Sequence, residues 1–336
     1  MTILLTGGTG YIGSHIASAL LSKQHKVVII DNLSNSSKEA VTRLLNLHPG
    51  ADLQFIQGDV ANKKLLEDVF AMHQIDGVIH LAGYKAVKES VDQPLLYYRN
   101  NIDTTLTLLE TLKDHITTKL IFSSSATVYG DAPIPYQETM QIGSGITHPY
   151  GKTKFMIEEI LKDTCAANLV SQVASLRYFN PIGAHPSGLL GEHPTDVPNN
   201  LMPYIQDVAT GKRDKLHIFG DDYPTPDGTC LRDYIHVMDV ADAHVKALEH
   251  SKSGYSAYNI GTGRATSVME LIKAFEQVNG VAIPYAVDGR RDGDLAEFYA
   301  DVSLANSEFG WQASRTIEDA CRDSWNFTKH LMEKEV

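Results

Sequence analysis

The strongest constraint on the fold is a glycine-rich turn near the N-terminus, between a short apolar run and a long apolar stretch. Residues 3–6 predict a strand and residues 10–23 a helix, with Gly7, Gly10 and Gly13 around the junction. Glycine lets the backbone turn tightly, and a helix N-terminus presents free N–H groups with a partial positive charge. A strand-to-helix turn of this kind is where a dinucleotide pyrophosphate binds, and a plain glycine-rich turn is the alternative.

Short apolar runs alternate with amphipathic stretches through the first half of the chain. The predicted strands are residues 3–6, 26–31, 53–57, 77–81, 119–123 and 173–177, and the first predicted helices are residues 10–23, 37–47 and 62–73. This βαβ rhythm predicts an α/β fold with a doubly wound parallel sheet and helices on both faces.

The texture of the chain changes after Phe179, where seven prolines between positions 181 and 226 break the chain into short elements. Later segments predict a helix at 237–250, a strand at 257–260, a helix at 268–278, a strand at 283–287 and a last helix from about Thr316. We expect residues 235–262 to return to the first sheet. The predicted domains are therefore 1–180 with 235–262, and a smaller C-terminal α/β domain from 181–234 and 263–336.

Charge and cysteine content exclude several classes of protein. The chain has 29 basic and 41 acidic residues, a formal net charge of −12, which disfavours binding to nucleic acids or anionic membranes. The N-terminal apolar run is short and lacks a basic leader, so neither secretion nor membrane insertion is expected. Three scattered cysteines fit no disulfide framework, and the histidines share no ligand spacing. We therefore expect a cytoplasmic protein without a bound metal.

Two acidic residues end predicted strands on the proposed nucleotide side. Asp31 lies about 20 residues beyond the glycine turn, where a carboxylate accepts hydrogen bonds from the adenosine ribose and repels a 2′-phosphate, favouring NAD over NADP. Asp59 ends the third strand, where it caps the next helix or contacts adenine. The run Leu81, Ala82 and Gly83 predicts a backbone passing close to the cofactor, or a simple turn.

The candidate catalytic pair is Tyr150 and Lys154, at the start of a helical pattern that reaches residue 168. Four residues apart, they lie on one helix face, where an ammonium group can stabilise a phenolate. A free tyrosine ionises near pH 10, and a lysine together with a cationic nicotinamide ring lowers that pKa. A solvated helix face is the favoured alternative for the bare pair. Hydroxyls from Ser125 and Thr127 follow the fifth strand, at the sheet edge where ligands bind, which makes the combination specific.

Together these residues resemble the extended short-chain dehydrogenase/reductase superfamily and, within it over almost the whole chain, the sugar-nucleotide 4-epimerases. The resemblance is carried by FSSSATVYG at 122–130, PYGKTK at 149–154, LRYFNPIGAHPS at 176–187, PNNLMPY at 198–204, FGDDYPTPDG at 219–228 and VMDVAD at 237–242. It implies a Rossmann-type sheet in an NAD-binding first domain, and a UDP-sugar-binding second domain.

The resemblance also implies residue roles. Tyr150 is the acid/base, Lys154 holds the nicotinamide ribose and lowers the tyrosine pKa, and Ser125 hydrogen-bonds the sugar 4-hydroxyl. The implied cofactor-binding residues are Gly7, Gly10, Tyr11, Ile12, Gly13, Asp31, Asn32, Asn35, Asp59, Val60, Leu81, Ala82, Gly83, Lys85, Asn100, Ser125, Tyr150, Lys154 and Phe179. The implied substrate-binding residues are Ser125, Ala126, Thr127, Tyr150, Asn180, Asn200, Leu201, His217, Ile218, Phe219, Arg232, Arg291, Asp294 and Phe298.

The implied activity is NAD-dependent interconversion of UDP-galactose and UDP-glucose. Carbon 4 is oxidised, the 4-keto sugar turns over, and reduction from the opposite face leaves the cofactor as it began. Epimerisation of a UDP-linked uronic acid, pentose or N-acetylhexosamine is the alternative. Dehydratases and decarboxylases of this fold need an acid in the 125–127 stretch, which has none. A non-catalytic NAD sensor does not require Ser125, Tyr150 and Lys154 together. The resemblance further implies a homodimer through residues 100–112 and 150–162.

The chain departs from the family pattern at three positions. Phe298 stands where many members have tyrosine, Leu81 where they often have phenylalanine, and Tyr84 also varies. A bulky ring at 298 should crowd a substituent on sugar carbon 2. We therefore expect UDP-glucose and UDP-galactose to be preferred over their N-acetylated counterparts.

Overall fold

The computed structural model describes residues 1–194, 198, 200–291 and 293–335. The strands are β1 (Thr2–Thr6), β2 (Lys26–Asp31), β3 (Leu53–Gln57), β4 (Gly77–His80), β5 (Lys119–Ser125), β6 (Gln172–Tyr178), β7 (Asn180–Ile182), β8 (Leu216–Phe219), β9 (Leu231–Arg232), β10 (Tyr234–His236), β11 (Gly254–Ile260), β12 (Thr266–Ser267), β13 (Tyr285–Asp288) and β14 (Glu297–Phe298). Parts of the predicted domain ranges, and one residue of the 198–204 motif, lie outside the described residues: 195–197, 199, 292 and 336.

The helices connect these strands, and a 3-10 turn at Ala126–Tyr129 follows β5. They are α1 (Tyr11–Ser22), α2 (Glu39–Leu47), α3 (Lys63–Met72), α4 (Val87–Asp92), α5 (Pro94–Leu112), α6 (Pro149–Ala166), α7 (Leu201–Ala209), α8 (Val237–His250), α9 (Val268–Asn279), α10 (Ser303–Phe309) and α11 (Ile317–Glu335). None of the helices in the described part of the chain has the length and apolar character needed to cross a membrane.

Seven strands form one parallel sheet in the order β11-β6-β5-β4-β1-β2-β3. This arrangement confirms the predicted doubly wound α/β fold. Because all strands run in one direction, their carboxyl ends meet at one edge of the sheet. The strand order reverses between β1 and β4, which is where such sheets bind ligands.

Helices cover both faces of the sheet, as the alternating burial of β1 requires. Ile3 and Leu5 pack into a core cluster with residues of α1 and α8. Leu4 points the other way and packs with Leu108 of α5 and Ile157 of α6. All three β1 side chains are fully buried, which is why the central strands read as continuous apolar runs.

Residues from the second half of the chain complete this sheet. β11 pairs in parallel with β6 over its whole length, at the outer edge. α8, which follows β10, packs against α1 on the face of the same sheet. His236 caps α8 by accepting a hydrogen bond at Nδ1 from the Met238 N–H, at 3.1 Å. The exact division of the chain into two domains stays a prediction.

One strand boundary differs from its prediction in a way that matters for the site. β5 extends through Ser125, two residues beyond its predicted end. The Ser124 hydroxyl donates to Glu158 Oε1 at 2.5 Å, and Ser123 pairs with the Tyr178 hydroxyl. Because these hydroxyls have buried partners, polar residues remain in the strand and Ser125 becomes its last residue.

A second core lies in the C-terminal half, among α7, α9, α11 and the short strands. Ile205, Leu271 and Phe275 are fully buried there. α9 begins with a capping box, in which Ser267 Oγ accepts from the Glu270 N–H and the Glu270 carboxylate accepts from the Ser267 N–H. This core supports the pairs β8 with β13 and β9 with β14, which carry five of the predicted substrate residues: His217, Ile218, Phe219, Arg232 and Phe298.

Candidate active site

The glycine turn after β1 leaves no room for a side chain at Gly7 or Gly13. Gly7 has a φ of 71°, and a Cβ there would lie 2.8 Å from the backbone nitrogen of Ala82. A Cβ at Gly13 would lie 2.4 Å from the Gly7 carbonyl oxygen. Gly10 precedes α1, and no described side chain caps that helix. The turn therefore presents backbone N–H groups at a helix N-terminus, an arrangement that fits a pyrophosphate.

Asp31 lies beside this turn at the end of β2 and is 7% exposed. Its carboxylate accepts hydrogen bonds from the Thr9 N–H at 3.1 Å, the Leu33 N–H at 2.9 Å and the Ser36 hydroxyl at 3.1 Å. These bonds fix the carboxylate at the carboxyl edge of the sheet, next to the glycines. The position fits a hydrogen-bond acceptor for the adenosine ribose of NAD.

Asp59 does not cap the helix that follows it. The N-cap of α3 is Asn62, whose Oδ1 accepts from the Leu65 N–H at 3.2 Å. Asp59 lies three residues earlier, where it accepts from the Ala61 N–H at 2.8 Å and from Asn32 Nδ2 at 3.3 Å. The capping alternative is therefore wrong, and the structure brings Asp59 and Asn32 together at the strand ends. Nearby, Val60 is buried and Asn35 is exposed.

The loop after β4, which contains Leu81, Ala82, Gly83 and Lys85, is held by a residue that sequence reasoning missed. Asn101 of α5 is 2% exposed, and its side chain accepts from the Tyr84 N–H at 2.8 Å and donates to the Tyr84 carbonyl at 3.0 Å. It also donates to Thr153 Oγ1 of α6 at 3.1 Å. The available signal was its helical spacing with other buried α5 residues.

Asn100, the predicted cofactor residue next to Asn101, donates from Nδ2 to Asn101 Oδ1 at 3.0 Å. A Cβ on Gly83 would lie 3.1 Å from the same oxygen. The glycine therefore allows the loop backbone to approach α5 closely.

Tyr150 and Lys154 share one face of α6, at its N-terminal end. His148, a second residue that sequence reasoning missed, is the N-cap and accepts at Nδ1 from the Gly151 N–H at 3.0 Å. Its ring lies nearly parallel to that of Tyr150, with 5.9 Å between centroids. Lys154 is 7% exposed, and its Nζ donates to the Ser123 carbonyl at 2.6 Å and lies 5.9 Å from the Tyr150 ring centroid.

The protonation equilibria of this pair are shifted by burial. Burial raises the pKa of Tyr150, and a hydrogen bond with Ser125 opposes that rise. Burial lowers the pKa of Lys154 to about 8, and the negative charge of Glu158 opposes that fall. The expected lowering of the tyrosine pKa is therefore not produced by the lysine and serine alone. The other group expected to lower the pKa of Tyr150 is the cationic nicotinamide ring of bound NAD.

Ser125 and Thr127 lie together at the end of β5. Ser125 Oγ accepts from the Thr127 N–H at 3.3 Å and from the Thr127 hydroxyl at 3.0 Å. Ala126, between them, packs in a cluster with the rings of Phe179 and Phe298. The Phe298 ring also contacts Tyr136, at 5.2 Å between centroids. An aromatic wall therefore stands beside the proposed catalytic hydroxyls.

A cavity of about 760 Å³ opens in the C-terminal half, next to this wall. Nine predicted substrate residues line it: Asn180, Asn200, Leu201, His217, Ile218, Phe219, Arg232, Arg291 and Asp294. Phe179, predicted on the cofactor side, also lines it. The other five predicted substrate residues lie at the end of β5, the start of α6 and β14.

The cavity is basic although the whole chain is acidic. Arg232, Arg291, Lys212, Arg213 and Lys215 line it. Asp294 pairs with Arg291 at 3.0 Å and with Arg232 at 3.5 Å, which orders both guanidinium groups. Guanidinium groups are natural partners of a diphosphate.

The cavity lining contains an unsatisfied acceptor, and a carboxylate links the lining to the loop after β4. In the described part of the chain, Asn180 Oδ1 is buried and has no hydrogen-bond partner. Glu192 Oε1 accepts from Asn200 Nδ2 at 2.7 Å and lies 3.4 Å from Lys85 Nζ. A predicted substrate residue and a predicted cofactor residue therefore meet on one carboxylate. Tyr11, on the cofactor side, donates its hydroxyl to the Gly183 carbonyl at 2.7 Å.

These features define a class of nucleotide-dependent enzyme: a parallel sheet with a glycine turn, Asp31 beside that turn, and the pair Tyr150 and Lys154. The chain belongs to the NAD dependent epimerase/dehydratase family, whose pattern it matches over residues 3–261.

Individual curated relatives show which enzymes of this family the chain is similar to in sequence. The chain is 53% identical to the UDP-glucose 4-epimerase of Erwinia amylovora, over 97% of each chain. It is 51% identical to that of Bacillus subtilis, over 97% of this chain and 96% of the relative.

Solved structures give the same result. The UDP-glucose 4-epimerase of Bifidobacterium longum in complex with NAD+ and UDP superimposes with a TM-score of 0.93 at 48% identity, over 98% of each chain. That of Stenotrophomonas maltophila, with bound NAD and formylated UDP-arabinopyranose, gives a TM-score of 0.95 at 44% identity, over 99% of each chain.

Proposed function

We propose that this protein interconverts UDP-galactose and UDP-glucose in an NAD-dependent reaction at carbon 4 of the sugar. One observation carries the proposal: Ser125, Tyr150 and Lys154 lie together beside a basic cavity, in a chain about half identical over its length to curated UDP-glucose 4-epimerases. The alternative UDP-sugars become outcomes of the test.

In the proposed mechanism, the Tyr150 phenolate takes up the proton of the sugar 4-hydroxyl, and the phenol so formed returns it when the 4-keto group is reduced. Ser125 hydrogen-bonds the tyrosine and orients the same sugar hydroxyl. The Lys154 ammonium, buried beside the tyrosine ring, favours the phenolate form. When bound, NAD supplies a hydride acceptor and then a hydride donor for carbon 4. Burial of Lys154 and partial burial of Tyr150 limit the access of water to the proton being moved.

NAD is proposed to bind along the carboxyl edge of the sheet. The glycine turn would hold its pyrophosphate, Asp31 its adenosine ribose, and Asp59 with Asn32 the region near adenine. Lys154, together with the loop that Asn101 holds, would contact the nicotinamide half. The close packing at Gly7 and Gly13 and the uncapped start of α1 support this placement.

The UDP part of the substrate is proposed to occupy the basic cavity. Arg232 and Arg291 would bind the diphosphate. The side-chain amides of Asn180 and Asn200 would form hydrogen bonds with the diphosphate and the sugar. The β8 strand, residues Leu216–Phe219, would form the nucleoside side. Firm anchoring of UDP lets the hexose turn between the two hydride transfers, because the sugar then needs few fixed contacts of its own.

Phe298 is proposed to exclude N-acetylated sugars. Its ring is held by Tyr136 and Phe179, so it has little freedom to move away from a substituent on carbon 2. We expect Phe298→Ala to raise kcat/KM for UDP-N-acetylglucosamine by roughly tenfold, since one or a few carbon contacts in a pocket are worth about that much. Comparable turnover of N-acetylated and plain UDP-sugars by the wild-type protein would contradict this assignment.

The proposed assembly is a homodimer through α5 and α6. Leu95 and Leu106 of α5 and Met156 of α6 are exposed although they are apolar. Packing two such helix faces together would remove these side chains from water. We also propose a cytoplasmic location, which the three free cysteines favour, and a place in galactose metabolism.

The test is incubation of the purified protein with UDP-galactose and no added NAD, followed by proton NMR. Appearance of UDP-glucose supports the reaction and a retained cofactor together. Product only after addition of NAD supports the reaction but not retention. Absence of product with NAD present overturns the proposal, and a parallel series with UDP-linked N-acetylhexosamine, uronic acid and pentose then identifies the substrate.

A further inference from the structure

A buried ion pair lies directly behind the proposed catalytic residues. Glu158 follows Lys154 by one turn of α6, and Arg177 belongs to β6; their side chains are 0% and 2% exposed. Arg177 donates from Nε to Glu158 Oε1 at 3.0 Å and from Nη2 to Oε2 at 2.6 Å. Because burying two charges is costly, replacement by apolar residues is often neutral for stability. Stability alone therefore does not explain the pair.

The Glu158 carboxylate joins three strands to the catalytic helix. Besides Arg177 of β6, it accepts from the Ser124 hydroxyl of β5 at 2.5 Å and from the Tyr255 hydroxyl of β11 at 2.9 Å. Ser124 immediately precedes Ser125. A bond from Ser124 to α6 therefore fixes the rotation of that helix relative to the strand that carries the proposed catalytic serine.

The other end of the ion pair leads to the aromatic wall. Arg177 donates from Nη1 to the Tyr129 hydroxyl at 3.0 Å, and Tyr129 donates to Asn259 Oδ1 at 2.7 Å. The Tyr129 ring stacks on Tyr136, with 4.8 Å between centroids, and Tyr136 contacts Phe298. The same network thus reaches from the catalytic helix to the sugar-facing ring.

We propose that Glu158 is a positioning residue for the reaction proposed above: its carboxylate holds α6 at the rotation against β5 that brings Tyr150 and Lys154 to Ser125. This inference rests on the proposed function.

The charge of Glu158 gives the proposal a second, electrostatic readout. The titratable or charged groups around Lys154 are Tyr150 and Glu158 on α6, His80 on β4, and Arg177 and Tyr178 on β6. Burial and Lys154 lower the pKa of His80 to about 3, so that histidine is neutral near pH 7. Glu158 therefore supplies the negative charge that sustains the Lys154 ammonium, while Arg177 acts in the opposite sense.

Glu158→Gln keeps the side-chain shape and removes the charge. We expect kcat for UDP-galactose to fall by about tenfold or more, with KM changed by less than about threefold, because the lost alignment acts on the chemical step. The alkaline limb of the kcat profile should move to lower pH, since the Lys154 ammonium loses its proton earlier. The matched control is Arg315→Gln, which breaks a different partly buried pair, Arg315 with Asp239 at 2.5 Å. In the control, kcat and its alkaline limb should stay within about twofold of wild type.

A measurement without turnover separates this inference from the proposed function. In protein labelled with ¹³C-lysine, the Lys154 ε-carbon resonance, assigned with Lys154→Arg, reports the Lys154 pKa. We expect that pKa to fall in Glu158→Gln and to stay unchanged in Arg315→Gln. Wild-type protein that lacks epimerase activity overturns the reaction, whereas an unchanged Lys154 pKa in Glu158→Gln overturns the role of Glu158.

A milder variant keeps the inference testable if Glu158→Gln does not fold, as judged by its thermal midpoint. Ser124→Ala removes one hydroxyl donor and leaves both charges in place. We expect kcat to fall by roughly threefold to tenfold at nearly constant KM, less than the full worth of a hydrogen bond to a charged group, because the bonds of Glu158 with Arg177 and Tyr255 remain. A kcat within about twofold of wild type in Ser124→Ala would overturn the proposal.

Discussion

The cofactor edge of the sheet and the basic cavity are assembled in opposite ways. At the edge, the glycine turn and Asp31 belong to consecutive elements, β1, α1 and β2, and are joined directly by a bond from the Thr9 N–H to the carboxylate. The cavity instead gathers residues from position 179 to position 294, and two of its arginines, Arg232 and Arg291, pair with Asp294. Short-range sequence patterns therefore indicate the cofactor edge. The basic cavity forms only when segments from distant parts of the chain are placed correctly.

Tyr150→Phe tests the point at which the two regions meet. We expect turnover to fall by roughly 1,000-fold, because general acid–base groups contribute about that factor, while NAD stays bound. Measurement of kcat together with the NAD content of the purified variant checks both parts. Tyr204→Phe, a change of the same kind in the cavity lining, is the control and should keep most of the activity.

Gly13→Ala should break the cofactor edge and leave the cavity intact. The new Cβ would lie 2.4 Å from the Gly7 carbonyl oxygen, and overpacking of this kind costs about 1–3 kcal/mol. We expect NAD affinity to fall by roughly tenfold to 100-fold, with UDP binding nearly unchanged in calorimetry. Gly289→Ala is a suitable control because a Cβ there meets nothing within 4 Å. Equal loss of NAD and UDP binding would show that the regions are not independent.

Arg232→Gln should break the cavity and leave the cofactor edge intact. Arg232 is 16% exposed at its side chain and also donates to the Leu295 carbonyl at 2.8 Å, whereas Arg291 is 60% exposed. We expect KM for UDP-galactose to rise by roughly tenfold, the worth of a hydrogen bond to a charged group, with retained NAD unchanged. Arg291→Gln should have the smaller effect. A larger effect at Arg291 would mean that exposure does not rank these two contacts.

Lowering the pH is expected to reduce the free energy of unfolding through two buried histidines that pack on the parallel sheet. This effect is smaller than those of the substitutions above. Burial lowers the pKa of His15 on α1 to about 3 and that of His244 on α8 to about 4, below the ordinary value of 6.5. The folded state therefore disfavours the protonated form. Stability from these groups is fully present above pH 6.5 and is lost as the pH falls toward 4. Each histidine contributes up to about 1.4 kcal/mol per pH unit in that window.

Urea unfolding between pH 7 and pH 4.5 measures this dependence. His244→Gln should reduce the slope of unfolding free energy against pH by about one proton. His250→Gln, at an exposed position of the same helix, is the control for the loss of a histidine from α8. An unchanged slope in His244→Gln would contradict the assignment.

The two regions also differ in how far the sequence could predict them. The strands β1, β2 and β3, the glycine turn and Asp31 follow from short-range patterns, because an apolar run, a glycine spacing and an acidic strand end are each visible within a few residues. Asn101 and His148 were missed because their roles depend on which loop or helix end reaches them. Capping of α3 by Asn62 was also missed, since Asp59 is an equally good capping residue by type.

The residues of the cavity could be predicted from the family resemblance, but their arrangement in space could not be predicted from local sequence patterns. Asp233 shows the physical reason. This buried carboxylate accepts from the Thr262 N–H at 2.7 Å, the Thr262 hydroxyl at 2.7 Å and the Gly263 N–H at 3.0 Å, and so joins segments about 30 residues apart. It directly follows Arg232, and its own N–H donates to the Phe298 carbonyl at 3.0 Å. No periodicity or residue spacing in the sequence predicts that Asp233 joins these segments.

The position of β11 at the sheet edge has a consequence for how the protein is made. A ribosome releases the first six strands and α6 well before residues 254–260 emerge. Tyr255 and Asn259, which complete the partners of Glu158 and Tyr129, arrive only with that last strand. The nascent chain therefore carries a charged pair whose surroundings are unfinished, and α6 reaches its final setting only after the cavity-forming segments up to residue 234 have been synthesised.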